Sequence, residues 1–291
     1  MYYNYQFSFN NKTNNNNVYT INIMSIFDEL NETELSINKR IIKQPKIAIS
    51  VPDKSKLTDT VFVYNNGISW RIVTHTIQQV YPVIHDIYFE SEKTYPITII
   101  MCPFTFLSIV YFGTFNPTDK VYNKSITLTN QENKDVLLIP LQNKFYSFSN
   151  GKLIESVGNV IRRDEVKIMT LRNAISKYPD VHFIDYPVET NDFKSLKLNH
   201  PFKPYNERYN AYTLLYVIEY VSKTTGKNKY SEIIPKNSTK KEGTNYDIHQ
   251  NGIETYLANM IEKIRERGGI MFPCFWAAWM GYMPNTKLIE L

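Results

Sequence analysis

Between residues 45 and 160 the chain carries a series of short runs rich in β-branched and aromatic residues, which constrain the fold more than any other feature. Runs such as Val61–Tyr64 and Leu107–Tyr111 have the length and composition of strands, and Ile126–Thr129 alternates between apolar and polar residues. Turn pairs, among them Asn66-Gly67, separate some of the runs. Short strands joined by tight turns predict a mostly antiparallel sheet. The other predicted strands are Ile47–Val51, Ile97–Ile100 and Val136–Ile139.

Three helices are predicted in the part of the chain that precedes residue 205. One begins at Ser25 with a Ser-x-x-Asp capping pattern, and a short one spans Trp70–Tyr81 between two strands. The third covers Asp164–Lys177, where apolar residues recur near helical spacing. We expect it to stop before Tyr178-Pro179, because the residue that precedes a proline avoids helical geometry.

The last third of the chain predicts helices and a loop. Asn206–Ser222 is apolar almost all round, which is typical of a buried helix, and Asn251–Arg267 carries one apolar stripe that ends at Gly268-Gly269. The sequence therefore predicts an α+β fold, in which a mostly antiparallel, β-rich domain is followed by a helical C-terminal part. The predicted domains are a disordered Asn-rich leader at 1–23, an α+β core domain at 24–205, and a helical region at 206–291 with a mobile loop at 224–244.

Two segments of the chain resemble each other. Met280–Glu290 echoes Ser176–Asp185, since each reads as a helix end, a turn with proline and then a strand. Arrays of repeats need three or more units to bury a continuous core, so two copies of a common turn do not predict a repeat protein.

Composition and charge exclude several classes of protein. With 43% hydrophobic residues, 14% aromatic residues and only 2 cysteines, the chain is neither disordered throughout nor a disulfide scaffold. The net charge of +5 comes from cations spread along the chain, and the one dense run, Lys223–Lys241, is typical of a solvated loop, so we expect no nucleic-acid partner. Ile97–Phe112 is too short to span a bilayer, which predicts no membrane segment. The start of the sequence lacks a signal-peptide pattern, so an intracellular, non-secreted location is expected.

Candidate chemistry is concentrated between Arg71 and Cys102. Cys102 together with His85 and Asp86 could hold a zinc or iron ion, and a histidine near a cysteine could lower the pKa of the thiol for nucleophilic work. The spacing fits no strong metal motif, and a lone cysteine within an apolar strand also suits simple packing. The sequence therefore leaves the cofactor unknown, with zinc or iron as candidates.

Other residues with chemical potential favour structural roles. Cys274 lies among aromatic residues, without the Cys-x-x-Cys spacing of a redox pair, and we expect no disulfide between it and Cys102. Trp276 and Trp279 are typical of a core or an interface. His182 and His200 lie in turn and loop contexts, which predict surface histidines. No phosphate loop, Rossmann fingerprint, His-Glu-x-x-His pair or Gly-x-Ser-x-Gly elbow is present.

Short motifs between Asn66 and Tyr209 follow a recognisable order. These are Arg71-Ile72-Val73-Thr74, Val80–Asp86, Cys102-Pro103-Phe104-Thr105, Val121-Tyr122-Asn123, Tyr178-Pro179-Asp180-Val181 and His200-Pro201-Phe202. Their order resembles the core of an uncharacterised, mainly prokaryotic family of domains of unknown function, in which Arg-Ala-Tyr-Pro, Trp-His-Glu-Ile-Val-Asn-Asp, Cys-Pro-Leu-Thr, Leu-Tyr-Asn and His-Pro-Asp-Thr motifs succeed one another.

The chain departs from that family at most of its polar motif positions. The family's His and Glu fall on Tyr81 and Pro82, its Asn on His85, its Ser-Gly turn on Thr118-Asp119 and its later Asp on Asn130, while Arg71, Asp86 and Cys102 are kept. The resemblance therefore implies a retained scaffold with a changed role. The composition and the Asn-rich start are also similar to those of proteins of large DNA viruses with A- and T-rich genomes.

Two functional hypotheses follow. The first is a non-catalytic structural or interaction protein on a degenerate scaffold, packaged in a virion if the viral association holds. It would bind a protein partner or self-associate through the aromatic C-terminal segment around Trp276 and Trp279. The alternative is a metal- or thiol-dependent enzyme that uses Cys102, His85 and Asp86, with Arg71 orienting an anionic group.

Overall fold

The computed structural model describes residues 30–32, 37–49, 57–122, 124–149, 151, 154, 163–188, 209, 211–221, 228–234, 269–282 and 287–290. The predicted leader at 1–23, the helix start at Ser25 and the predicted helix 251–267 lie outside these residues. In the described part of the chain, no helix combines the length and the apolarity that a membrane span needs.

Strands form most of the described structure. They are β1 (Leu30–Glu32), β2 (Ile41–Lys43), β3 (Lys46–Ala48), β4 (Thr60–Asn65), β5 (Trp70–Thr74), β6 (Val83–Glu90), β7 (Lys93–Met101), β8 (Ser108–Phe112), β9 (Phe115–Tyr122), β10 (Ser125–Asn130), β11 (Val136–Ile139), β12 (Lys144–Ser147), β13 (Arg163–Glu165), β14 (Lys167–Thr170), β15 (His182–Asp185), β16 (Leu214–Val221), β17 (Asn228–Ile234), β18 (Ile270–Phe275) and β19 (Lys287–Glu290). The helices are a 3-10 turn (Ile37–Lys39), α1 (His75–Val80), α2 (Leu171–Lys177) and α3 (Trp276–Tyr282).

The described strands form four sheets, most of whose pairings are antiparallel. Sheet A has the order β1-β9-β10-β11-β12 and sheet B the order β13-β8-β7-β6-β2. Sheet C has the order β14-β4-β5-β15-β3, and sheet D has the order β18-β16-β17-β19. The β-rich, mostly antiparallel part of the predicted fold is therefore confirmed, and the predicted strands correspond to β3, β4, β7, β8, β10 and β11.

Two predicted helices turn out to be shorter, because each is preceded by a strand. Trp70–Thr74 is β5 and only His75–Val80 is helical, while β13 and β14 precede α2 in the segment predicted as Asp164–Lys177. Each helix begins where a threonine side chain, Thr74 or Thr170, accepts a hydrogen bond from the backbone N–H three residues later. The predicted stop at Tyr178 is confirmed.

The described C-terminal residues are mostly strands, so the helical C-terminal part is not supported. The predicted helix Asn206–Ser222 is wrong from Leu214 to Val221, which form β16 at the centre of sheet D. Its continuous apolar character reflects a strand covered on both faces, which periodicity does not distinguish from a buried helix. The loop predicted at 224–244 is wrong for Asn228–Ile234, which form β17; the rest of that loop lies outside the described residues.

Sheets C and D share one topology. In sheet C, the antiparallel pair β4 and β5 is flanked by β14, antiparallel to β4, and by β15, parallel to β5, and α2 connects β14 to β15. In sheet D, β16 and β17 form the central pair, β18 is antiparallel to β16, β19 is parallel to β17, and α3 connects β18 to β19. The chain therefore builds the same four-stranded unit twice.

The two copies agree in position from the outer strand through the helix to the last strand. Thr170 ends β14 opposite Thr60, and Phe275 ends β18 opposite Leu214. The distance along the sequence from Thr170 to the start of β15 equals the distance from Phe275 to the start of β19. The sequence echo between 176–185 and 280–290 lies at these equivalent positions, and Pro179 matches Pro284. The echo thus belongs to a duplicated unit larger than one turn.

One apolar core extends through all four sheets, and a second cluster lies under α2 on the outer face of sheet C. The aromatic C-terminal segment belongs to the main core, since Trp276 and Trp279 are 2% and 0% exposed. Phe275 stacks on Phe106 with ring centroids 5.1 Å apart and donates its backbone N–H to Thr105. These aromatic side chains therefore pack inside the chain itself.

Candidate functional site

Cys102 lies at the end of β7, in a tight turn that leads to β8. Its backbone N–H donates to the carbonyl of Leu107, and its own carbonyl accepts from Phe106. The side chain is 0% exposed and belongs to the main apolar core. In this position the thiol packs as a small apolar group.

His85 and Asp86 are consecutive residues of β6 and so point to opposite faces of sheet B. His85 Nε2 lies 2.8 Å from the carbonyl oxygen of Phe115, and because a carbonyl only accepts, Nε2 carries the proton. Burial lowers the pKa of His85, and the hydrogen bond to Phe115 opposes that change. On the other face, Asp86 Oδ2 accepts a hydrogen bond of 2.7 Å from Tyr64.

The three predicted metal ligands therefore have different partners in different places. In the described part of the chain, no group of three or more His, Cys, Asp or Glu side chains lies close enough together to hold a metal ion. Of the four predicted site residues, the structure brings Arg71 and Asp86 near each other through Tyr64, and it leaves His85 and Cys102 apart from them.

A polar row crosses the inner face of sheet C, toward sheet B. Tyr64 of β4 is paired with Arg71 of β5, and Arg71 is paired with His182 of β15. Residues directly opposite on neighbouring strands share a face. Phe62, two residues from Tyr64, identifies that face because it belongs to the main core.

Arg71 donates to His182 within this row. Arg71 Nη1 lies 3.1 Å from His182 Nδ1. A guanidinium only donates, so Nδ1 must present its lone pair, and the imidazole in this contact is the neutral form that carries its proton on Nε2. The parallel pairing of β5 and β15 creates the contact.

One nitrogen of the guanidinium is buried without a partner. Arg71 is 8% exposed, and its Nε is buried without any hydrogen-bond partner. Among the described residues no carboxylate lies at ion-pair distance from it, and the contact with His182 supplies no negative charge. Buried charges in proteins are normally paired with an opposite charge, whereas the described hydrogen-bond partner of Arg71 is a neutral imidazole.

Tyr64 connects the row to sheet B. Its hydroxyl donates to Asp86, and burial together with the adjacent carboxylate of Asp86 holds the pKa of Tyr64 well above its usual range. Tyr64 therefore remains protonated and donates at every pH of interest. The Asp86 carboxylate also accepts from the backbone N–H of Ile87, so it is already engaged by two donors.

The duplicated unit provides an internal comparison. In sheet D, the register positions that match Tyr64, Arg71 and His182 are held by Ile218, Ser231 and Lys287. The unit can therefore be built without the polar row. Sequence reasoning selected Arg71 and Asp86, but it missed Tyr64 and predicted a surface position for His182. The sequence carries no signal for the pairing that brings His182 to Arg71.

Comparison of the chain with models of protein families, with curated proteins and with solved structures gives no match. The arrangement of Arg71, His182, Tyr64 and Asp86 is therefore the feature from which a function can be inferred.

Proposed function

We propose that this protein is a non-catalytic interaction protein that binds an anionic group of its partner through Arg71. The observation that carries the proposal is the buried guanidinium of Arg71, whose Nε has no hydrogen-bond partner and whose described contact is with neutral His182. Burying such a charge costs free energy unless an anion compensates it. A bound anion would supply that compensation.

The residues expected to act in the alternative, a metal- or thiol-dependent enzyme, all have structural partners. Cys102 is packed in the core, and His85 and Asp86 have hydrogen bonds on opposite faces of β6. These contacts favour structural roles for the three side chains. No contact among the described residues favours their joint action.

The duplication supports a functional role for the polar row. Sheet D repeats the topology of sheet C with Ser231 at the position of Arg71, so the scaffold does not require an arginine there. A buried charge that the fold does not need reduces stability, and such features are commonly kept at functional sites.

The proposal is tested by the urea unfolding of the protein in acetate, in phosphate and in chloride at equal ionic strength. A ligand that binds only the folded state adds about 2.7 kcal/mol at a hundred times its dissociation constant. We expect acetate or phosphate to raise the midpoint of the wild type more than that of Arg71→Gln. Arg172→Gln is the matched control, because Arg172 is an exposed arginine on α2.

Equal responses of the wild type and Arg71→Gln to both anions would contradict binding at Arg71. The non-catalytic part is tested separately with Cys102→Ala, which we expect to leave the anion response unchanged. If the protein catalyses a reaction and Cys102→Ala abolishes its turnover, that result would contradict the non-catalytic part of the proposal.

A further inference from the structure

His182 occupies one nitrogen of the Arg71 guanidinium and leaves the other donors to a ligand. Nη1 is engaged by His182 Nδ1, and Nη1 is the nitrogen on the Cδ side of the guanidinium. The parallel pair on the opposite side is Nε–H with Nη2–H. Nε is the atom that is buried without a partner.

We infer that the anion bound at this site is a carboxylate, held by two hydrogen bonds from Nε–H and Nη2–H of Arg71; this inference rests on the proposed function. A planar carboxylate matches the two parallel N–H groups of a guanidinium fork, and such bidentate pairs are short and strong. His182 acts as a positioning residue, because it occupies Nη1 and thereby presents the side of the fork that contains Nε.

The charges around the site favour a monoanion over a phosphate dianion. The row contributes one full positive charge, since His182 is neutral when its Nδ1 accepts from Arg71. The carboxylate of Asp86 is one hydrogen bond from Tyr64, which is directly opposite Arg71 in the sheet. A second negative charge on the ligand would be repelled by Asp86, and the described row holds no second cation to balance it.

The test follows the Nε–H resonance of Arg71 in proton–nitrogen spectra of the full chain. The resonance is assigned by its absence in Arg71→Lys, and Arg172→Lys serves as the control that removes an exposed arginine. The protein is titrated with acetate, with the blocked peptide acetyl-Ala-Asp-Ala-amide, with inorganic phosphate and with chloride.

We expect acetate or the peptide to shift this resonance in a saturable way, with affinity at least tenfold above that of phosphate. Tighter binding of the peptide than of acetate assigns the carboxylate to a protein partner, and equal affinity assigns it to a small organic acid. Phosphate binding as tight as acetate would overturn the inference while leaving anion binding at Arg71 intact. No shift with any of the four probes would overturn the proposed function as well.

The role of His182 is tested by the ratio of acetate to phosphate affinity. His182→Phe leaves Nη1 without its acceptor, and we expect the ratio to fall at least threefold. His182→Asn keeps an acceptor near the position of Nδ1, and it is expected to restore the ratio. An unchanged ratio in His182→Phe would show that His182 does not position the fork.

Discussion

The burial of the Arg71 guanidinium beside a neutral imidazole is the feature of single residues that most needs an explanation. The neighbouring pair of Tyr64 and Asp86 is different, because donor and acceptor satisfy each other. The Tyr64–Asp86 pair therefore contributes to the fold, whereas Arg71 is the residue that we propose for binding.

The Tyr64–Asp86 hydrogen bond is expected to stabilise the contact between sheets B and C. Hydrogen bonds to charged groups contribute about 1.5–3 kcal/mol, and Asp86 is half-buried, so we expect Tyr64→Phe to cost about 1–2 kcal/mol. Urea unfolding of both single variants and of Tyr64→Phe/Asp86→Asn measures the coupling. If the two substitutions change the free energy of unfolding additively, the result would contradict a direct hydrogen bond between Tyr64 and Asp86.

Stability is expected to fall on acidification because of His85 and His75. Burial lowers the pKa of both imidazoles below the ordinary value of 6.5. The contribution of these two imidazoles to the free energy of unfolding is fully present above pH 6.5. It is lost as the pH falls from 6.5 toward their lower pKa in the folded protein, because the unfolded chain takes up protons that the folded chain excludes.

Unfolding at pH 7.5 and at pH 5 should therefore show a larger loss of stability in the wild type than in the double variant His75→Asn/His85→Asn. An equal loss in both proteins would contradict the effect of burial on these two side chains.

The sequence identified half of the candidate site. Asp86 was selected as a metal-ligand candidate with His85 and Cys102, and Arg71 as a group that orients an anion. Tyr64 and His182 were missed because their roles depend on strand pairing between distant parts of the chain. A histidine after a proline turn indicates nothing about its partner until the parallel pairing of β15 with β5 is known.

Among the elements, the β4–β5 turn has the tightest backbone constraint. Gly67 has φ +89°, and a Cβ atom there would lie 1.9 Å from the carbonyl oxygen of Phe89. Gly67→Ala combines a disfavoured backbone conformation with a clash against β6, so we expect it to cost at least about 2 kcal/mol in urea unfolding. Gly281→Ala, at an exposed position of α3, is the control and should cost nothing. Equal stability of the two variants would contradict the close approach.

At the level of elements, strands were predicted better than helices. Short runs with tight turns identified six strands, because the composition of β-branched residues and the turn chemistry agreed. The helices were overestimated where strand and helix follow each other directly, as at Thr74 and Thr170. In such a segment the capping threonine indicates where the strand ends and the helix begins, whereas the spacing of apolar residues alone does not.

For the whole molecule, the duplicated units pack through one core and should unfold together. Phe106 in the turn after β7 stacks on Phe275 of β18, and β18 contacts β8 and β13. We expect Phe275→Ala to cost about 3–5 kcal/mol, and the cycle with Phe106→Leu to show a coupling of about 0.5–1.5 kcal/mol. Fluorescence and circular dichroism should report one coincident transition. Two separate transitions would contradict a shared core.

The free energy of unfolding of Arg71→Met, measured in a buffer poor in binding anions, distinguishes a binding role of Arg71 from a structural one. Methionine removes the buried charge and keeps much of the apolar volume. If Arg71 is kept for binding an anion, Arg71→Met should be at least as stable as the wild type, with Arg172→Met as the surface control. A loss of about 3 kcal/mol or more, which is typical of breaking a buried pair, would contradict the claim and assign Arg71 to the fold.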